Sequence, residues 1–100
     1  MAKKWAGIFP AVTTKFTEND ALDIQEMEKH FSFQLDAGVH GVVVTGSLGE
    51  NSTLTSDEKV EILKTAVRVC EGRVPAMAGV AEGSTSDACR MVEKLEHAGA

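Results

Sequence analysis

The sequence predicts an α/β chain of three consecutive strand-then-helix units whose strands pair in parallel. Short apolar runs begin near positions 7, 39 and 74, so they recur at intervals of 32 and 35 residues, the period of a βα unit. Each run is followed by apolar residues spaced three and four apart, entered through a capping residue. The middle run contains Val42-Val43-Val44 with no apolar/polar alternation, the pattern of a parallel strand covered on both faces.

In the first unit, Gly7 to Thr13 reads as a short strand, with Pro10 tolerated near its start or on an unpaired edge. Thr17 to Leu22 is a polar turn. Asp23 then caps a helix in which Ile24, Met27, Phe31 and Leu35 form the buried stripe, and Gly38 ends it. In the second unit, Val39 to Thr45 is the strand, and Thr55-Ser56-Asp57-Glu58 has the pattern of a capping box. The helix that follows buries Val60, Leu63, Ala66, Val67 and Cys70 and stops at Gly72. In the third, Val74 to Val80 is the strand, Glu82-Gly83-Ser84 turns, and Ser84 or Thr85 caps a helix that buries Ala88, Val92 and Leu95.

Composition narrows the function. With 43% apolar and 25% charged residues, the 100 residues suit one ordinary globular domain. A formal charge of -5, with basic residues scattered apart from Lys3-Lys4, argues against nucleic-acid and anionic-membrane partners, which need a concentrated basic face. A small-molecule partner is expected; if anionic, it is held by local N–H groups, because the global field opposes it. His30, His40 and His97 are far apart and Cys70 and Cys89 lack ligand spacing, so no metal is expected. Two free cysteines within helices, no membrane span and no secretory leader give a cytoplasmic protein as the expectation.

Three βα units close nothing. A parallel βα array ends in an open sheet or in a barrel of eight units, typically about 250 residues. Residues 1–100 are accordingly expected to be the N-terminal part of a longer fold. The candidate site is Gly46-Ser47-Leu48-Gly49-Glu50, which follows the central strand. Glycines on both sides of a hydroxyl residue are expected to let the backbone turn through conformations that a β-carbon penalises, presenting N–H groups and one hydroxyl above the strand end. The competing view is a serine that merely caps its own turn.

At this loop the sequence resembles the family of dihydrodipicolinate synthases and N-acetylneuraminate lyases, whose corresponding stretch reads Gly-Thr-Thr-Gly-Glu or Gly-Ser-Thr-Gly-Glu. Ala11-Val12-Thr13, Asn51-Ser52-Thr53-Leu54, Gly72-Arg73-Val74-Pro75 and Ala78-Gly79 extend the resemblance over essentially the whole chain. It implies a (β/α)8 TIM barrel, of which this chain supplies the first three βα units, with the site at the C-terminal ends of the strands. It also implies a Schiff base between a lysine and a 2-oxo acid such as pyruvate, for aldol-type carbon–carbon bond making or breaking, with no cofactor and commonly a homotetramer. On that resemblance Ser47 is the catalytic hydroxyl that passes protons, and Ser47, Leu48 and Gly49 bind substrate, the N–H groups of Leu48 and Gly49 holding its carboxylate.

The Schiff-base lysine and acid/base tyrosine of the family lie on later strands, beyond residue 100. This chain has no tyrosine, and Lys3, Lys4, Lys15, Lys29, Lys59, Lys64 and Lys94 fall at the terminus, in a turn or on helical faces. Leu48 stands where the synthases carry a second threonine, and Thr14 replaces a proline. Both resemble the branch that deaminates pyrroline-4-hydroxy-2-carboxylate, the alternative function. A third reading is a non-catalytic interaction module. Of the neighbours, Glu50 is expected to accept loop N–H bonds and order the turn. Thr13 and Thr45 are expected to support the loop by hydrogen bonds. Glu82 and Ser84 either line the mouth or are, respectively, solvated and a helix cap.

Overall fold

The computed structural model describes residues 5–100. Two short strands, β1 (Val42–Val44) and β2 (Ala76–Ala78), pair in parallel with Val42 opposite Ala76 and Val44 opposite Ala78. Three helices follow the expected order: α1 (Ile24–Asp36), α2 (Ser56–Cys70) and α3 (Thr85–His97). A single 3-10 turn, Asn51–Thr53, lies between β1 and α2.

The strand expected over residues 7–13 is reduced to one parallel bridge, Ala11 to Val43. The Val43 N–H donates to the Pro10 carbonyl and the Val12 N–H to the Val43 carbonyl, both at 2.9 Å. One step earlier, the ladder would need a donor from residue 10, and proline has none. The chain nevertheless stays beside β1, because the His40 N–H donates to the Ile8 carbonyl at 2.9 Å. Three strand-like segments therefore run side by side, with their C-terminal ends together.

The helix starts follow their local chemistry. The Asp23 carboxylate accepts from the Glu26 N–H at 3.1 Å, and Ser84 accepts from the Asp87 N–H at 3.1 Å, which makes Ser84 and not Thr85 the cap. At α2 the box is complete: the Glu58 N–H donates to Thr55 Oγ1 at 3.1 Å and the Thr55 N–H donates to the Glu58 carboxylate at 2.8 Å.

The core lies between the helices and one face of the sheet. Met27 and Phe31 of α1, Ile62, Leu63, Ala66 and Cys70 of α2, and Met91 and Leu95 of α3 cover Val12, Val42, Val44 and Ala76. The buried set of α2 includes Ile62, while the expected Val60 and Val67 are only partly buried. On α3 the buried partner of Leu95 is Met91, and Val92 is half exposed. The Cys70 thiol sits in this core, and burial raises its pKa, which keeps it in the unreactive thiol form. Among the described residues the helices lie on one face of the strands, and Ala11, Val43 and Met77, in register across the sheet, point to the other. Alternation along the strands explains this, since successive side chains point to opposite faces and the three helices pack on one.

Candidate functional site

The chain leaves β1 through Thr45 and enters a turn spanning residues 47–50, which passes directly into the 3-10 turn. The Glu50 N–H donates to the Ser47 carbonyl at 3.1 Å and the Asn51 N–H to the Gly46 carbonyl at 3.2 Å. Ser47 and Leu48 are exposed at the tip, Leu48 at 66%, whereas Gly49 is buried. Among the described residues, the N–H groups of Ser47, Leu48 and Gly49 have no acceptor and the Ser47 hydroxyl has no partner. The turn therefore presents three consecutive donors and one hydroxyl at the strand end, an arrangement suited to a carboxylate or another small anion.

The glycines serve a different purpose from the one expected. Neither Gly46 nor Gly49 adopts a positive φ; the left-handed residues are Thr45 and Glu50, at φ 54 and 63. Gly49 is required by close approach: a β-carbon there would lie 3.0 Å from the Thr45 nitrogen and 3.1 Å from the Val12 carbonyl oxygen. Gly79, at the end of β2, is more tightly confined, since a β-carbon would come 2.7 Å from the Thr45 carbonyl oxygen. Backbone atoms cannot swing aside as a side chain can. Gly79→Ala is therefore expected to destabilise the fold by about 1–3 kcal/mol, the usual cost of overpacking, read as a lowered urea midpoint.

Buried polar side chains from three segments pin the turn. Thr14 Oγ1 donates to the Gly49 carbonyl at 2.6 Å. Thr45 Oγ1 donates to the Gly79 carbonyl at 3.1 Å. Asn51 Nδ2 donates to the Thr45 carbonyl at 2.7 Å and lies 3.5 Å from the Gly79 carbonyl. The expected support from Thr45 is present. Thr13 is exposed and makes no side-chain hydrogen bond among the described residues; strand alternation turns it outward and brings Thr14 to the loop instead. Glu50 orders the turn through its backbone: its carbonyl accepts from Thr53 N–H at 3.0 Å and Thr53 Oγ1 at 2.9 Å, while its side chain bonds to no described residue. Thr14 and Asn51 are the members that sequence reasoning missed. An amide just after a turn, ahead of a capped helix, is the signal that was available.

Glu82 is not solvated. Its carboxylate meets the Lys59 ammonium at 2.8 Å, with side-chain exposures of 13% and 7%. Lys59, placed by the sequence on a helical face, is buried in the first turn of α2, where it pairs with Glu82 of the loop leaving β2. Lys15 lies in the segment before α1 and Lys29, Lys64 and Lys94 lie on the helices, and Lys3 and Lys4 fall outside the described residues. Among the described residues no group of three or more His, Cys, Asp or Glu could hold a metal, and no helix is long and apolar enough to cross a membrane.

Parallel strands with helices packed on the sheet, and a loop of free donors at the strand C-termini, define a run of βα units of the class that places its sites on βα loops. The sequence profile of the Dihydrodipicolinate synthetase family matches residues 4–100. The chain belongs to that family. It is 40% identical over 96 residues to a 4-hydroxy-tetrahydrodipicolinate synthase of Methanoculleus marisnigri, covering 94% of this chain and 33% of that relative. Its fold is similar to a dihydrodipicolinate synthase from Bacillus anthracis, with a TM-score of 0.92 and 32% identity over 98% of this chain and 34% of that one. It is likewise similar to the dihydrodipicolinate synthase of Acinetobacter baumannii solved in complex with pyruvate, with a TM-score of 0.90 and 29% identity over 94% of this chain and 32% of that one. The chain thus spans about a third of the length of the relatives it matches.

Proposed function

We propose that the protein is a lyase or synthase that forms a lysine Schiff base with pyruvate or a related 2-oxo acid and makes or breaks a carbon–carbon bond beside it. Residues 1–100 are the N-terminal part of its single barrel domain, and the nucleophilic lysine and the acid/base tyrosine come from later strands. The observation that carries this reading is the turn after β1: three acceptor-free N–H groups and an exposed hydroxyl where the family binds its substrate. The N–H groups of Leu48 and Gly49 hold the substrate carboxylate, and Ser47 passes a proton to the reacting centre. The similarity to a synthase solved with pyruvate supports the 2-oxo acid. The whole protein works in the cytoplasm, a reading that rests on the free cysteines Cys70 and Cys89, and as a homotetramer, which rests on the family resemblance.

Leu48 favours a second reading within the same chemistry. Its side chain stands out at 66% exposure and brings no hydroxyl to the carboxylate, as in the branch that deaminates pyrroline-4-hydroxy-2-carboxylate. Borohydride reduction of the full-length protein with pyruvate tests the shared step, and absence of a covalent adduct with every 2-oxo acid tried removes both readings. Ammonia release from the pyrroline substrate, set against condensation of pyruvate with aspartate semialdehyde, separates them.

A further inference from the structure

The turn that carries Ser47 is held under backbone strain, and one buried amide ties the far end of that turn to its stem. Thr45 and Glu50 flank the turn in the left-handed region, at φ 54 and 63, a conformation that β-branched threonine rarely adopts. Such strained positions persist only where the surroundings over-determine them. Here the overlap of restraints is at Asn51. Its side chain, in a residue only 7% exposed, donates to the Thr45 carbonyl at 2.7 Å and reaches the Gly79 carbonyl at 3.5 Å. Its own N–H closes the turn onto the Gly46 carbonyl at 3.2 Å. Two carbonyl oxygens facing one amide require the NH2 group on that side, so the amide's orientation follows from chemistry. Thr45 Oγ1 ties the same stem to Gly79, Thr14 Oγ1 holds the Gly49 carbonyl and the Glu50 N–H closes onto Ser47, while Asn51 bonds to the stem ahead of the turn through both its side chain and its N–H.

We propose that Asn51 is a positioning residue for the Ser47–Gly49 turn. It sets where the Ser47 hydroxyl and the Leu48 and Gly49 N–H groups stand relative to the end of β2. It touches no reacting atom. The proposal rests on the Schiff-base reading for its kinetic consequences, and on the loop geometry alone for its structural one.

Asn51→Asp keeps the shape of the side chain and sets a carboxylate oxygen against two carbonyl oxygens, removing the restraint by repulsion. Met91→Ala, in α3 and outside the site, serves as a destabilised control. In the full-length protein, Asn51→Asp is expected to retain borohydride trapping with saturating pyruvate. It is expected to raise the KM for the 2-oxo acid at least 10-fold and to lower kcat, while Met91→Ala leaves KM unchanged. Amide hydrogen exchange at Glu50 and Thr53, whose N–H groups are bonded within the turn, is expected to accelerate in Asn51→Asp and not in Met91→Ala, whether or not the protein forms a Schiff base. KM and kcat within twofold of the unsubstituted protein, or unchanged exchange at both amides, overturns the proposal. Failure of trapping in the unsubstituted protein overturns the Schiff-base reading, and the exchange result then decides the role of Asn51 by itself.

Discussion

Lys59→Met in the full-length protein is expected to cost roughly 3–5 kcal/mol of stability, because it leaves the Glu82 carboxylate buried without its counter-charge. The two groups meet at 2.8 Å with little solvent on either side chain, so water cannot take over the missing partner. Glu82→Leu is expected to be similarly damaging for the opposite reason, an ammonium stranded under the loop that leaves β2. The double change Lys59→Met/Glu82→Leu removes both desolvation costs and is expected to recover most of the loss, since apolar replacements of similar volume often match a buried ion pair. Urea unfolding of the four proteins gives the coupling energy directly. Single substitutions that each cost under about 1 kcal/mol would place the pair among surface salt bridges and contradict its burial.

Ser47→Ala is expected to reduce kcat on the order of 100-fold or more, the usual contribution of a positioned proton-transfer group. The hydroxyl is exposed at the turn tip and has no partner among the described residues, so its removal strands no buried group and leaves stability within about 0.5 kcal/mol. Trapping with pyruvate and borohydride is expected to survive, because the proposed reaction takes its amine from a later strand. Ser47→Thr retains the hydroxyl and is expected to restore much of the rate. A kcat unchanged in Ser47→Ala would reduce Ser47 to a turn residue and leave the N–H groups as the only function of the loop.

Local chemistry made most of the secondary structure legible. Asp23, Thr55 with Glu58, and Ser84 cap their helices through contacts only three residues long, so the adjacent sequence contains both partners. The valine run forms β1, and Met27, Phe31, Leu63 and Leu95 face the core as their spacing requires. The first strand was harder to read. Whether Pro10 is tolerated depends on which neighbour lies beside it, and β1 asks residue 10 for a donor that proline lacks.

The candidate site divides the same way. Its place after β1 and its small residues can be read from Gly46 to Glu50 alone. The reason for the glycines cannot, because it is distance to other segments, with Gly49 against Val12 and Thr45 and Gly79 against Thr45. Thr14, Asn51, Lys59 and Glu82 have partners up to 35 residues away, and nothing in their neighbouring sequence names those partners.

The sequence by itself thus determined the order of the elements, the caps that begin the helices, the loop at the strand end and the family. Those features arise from interactions within a few residues, or from a motif read as a string. Only the tertiary structure decided which face of the sheet is covered, which side chains pin the Ser47 turn, and that Lys59 and Glu82 are buried against each other. Each of these depends on how segments tens of residues apart pack in space, where burial turns a solvated charge or a surface amide into a partner that must be satisfied.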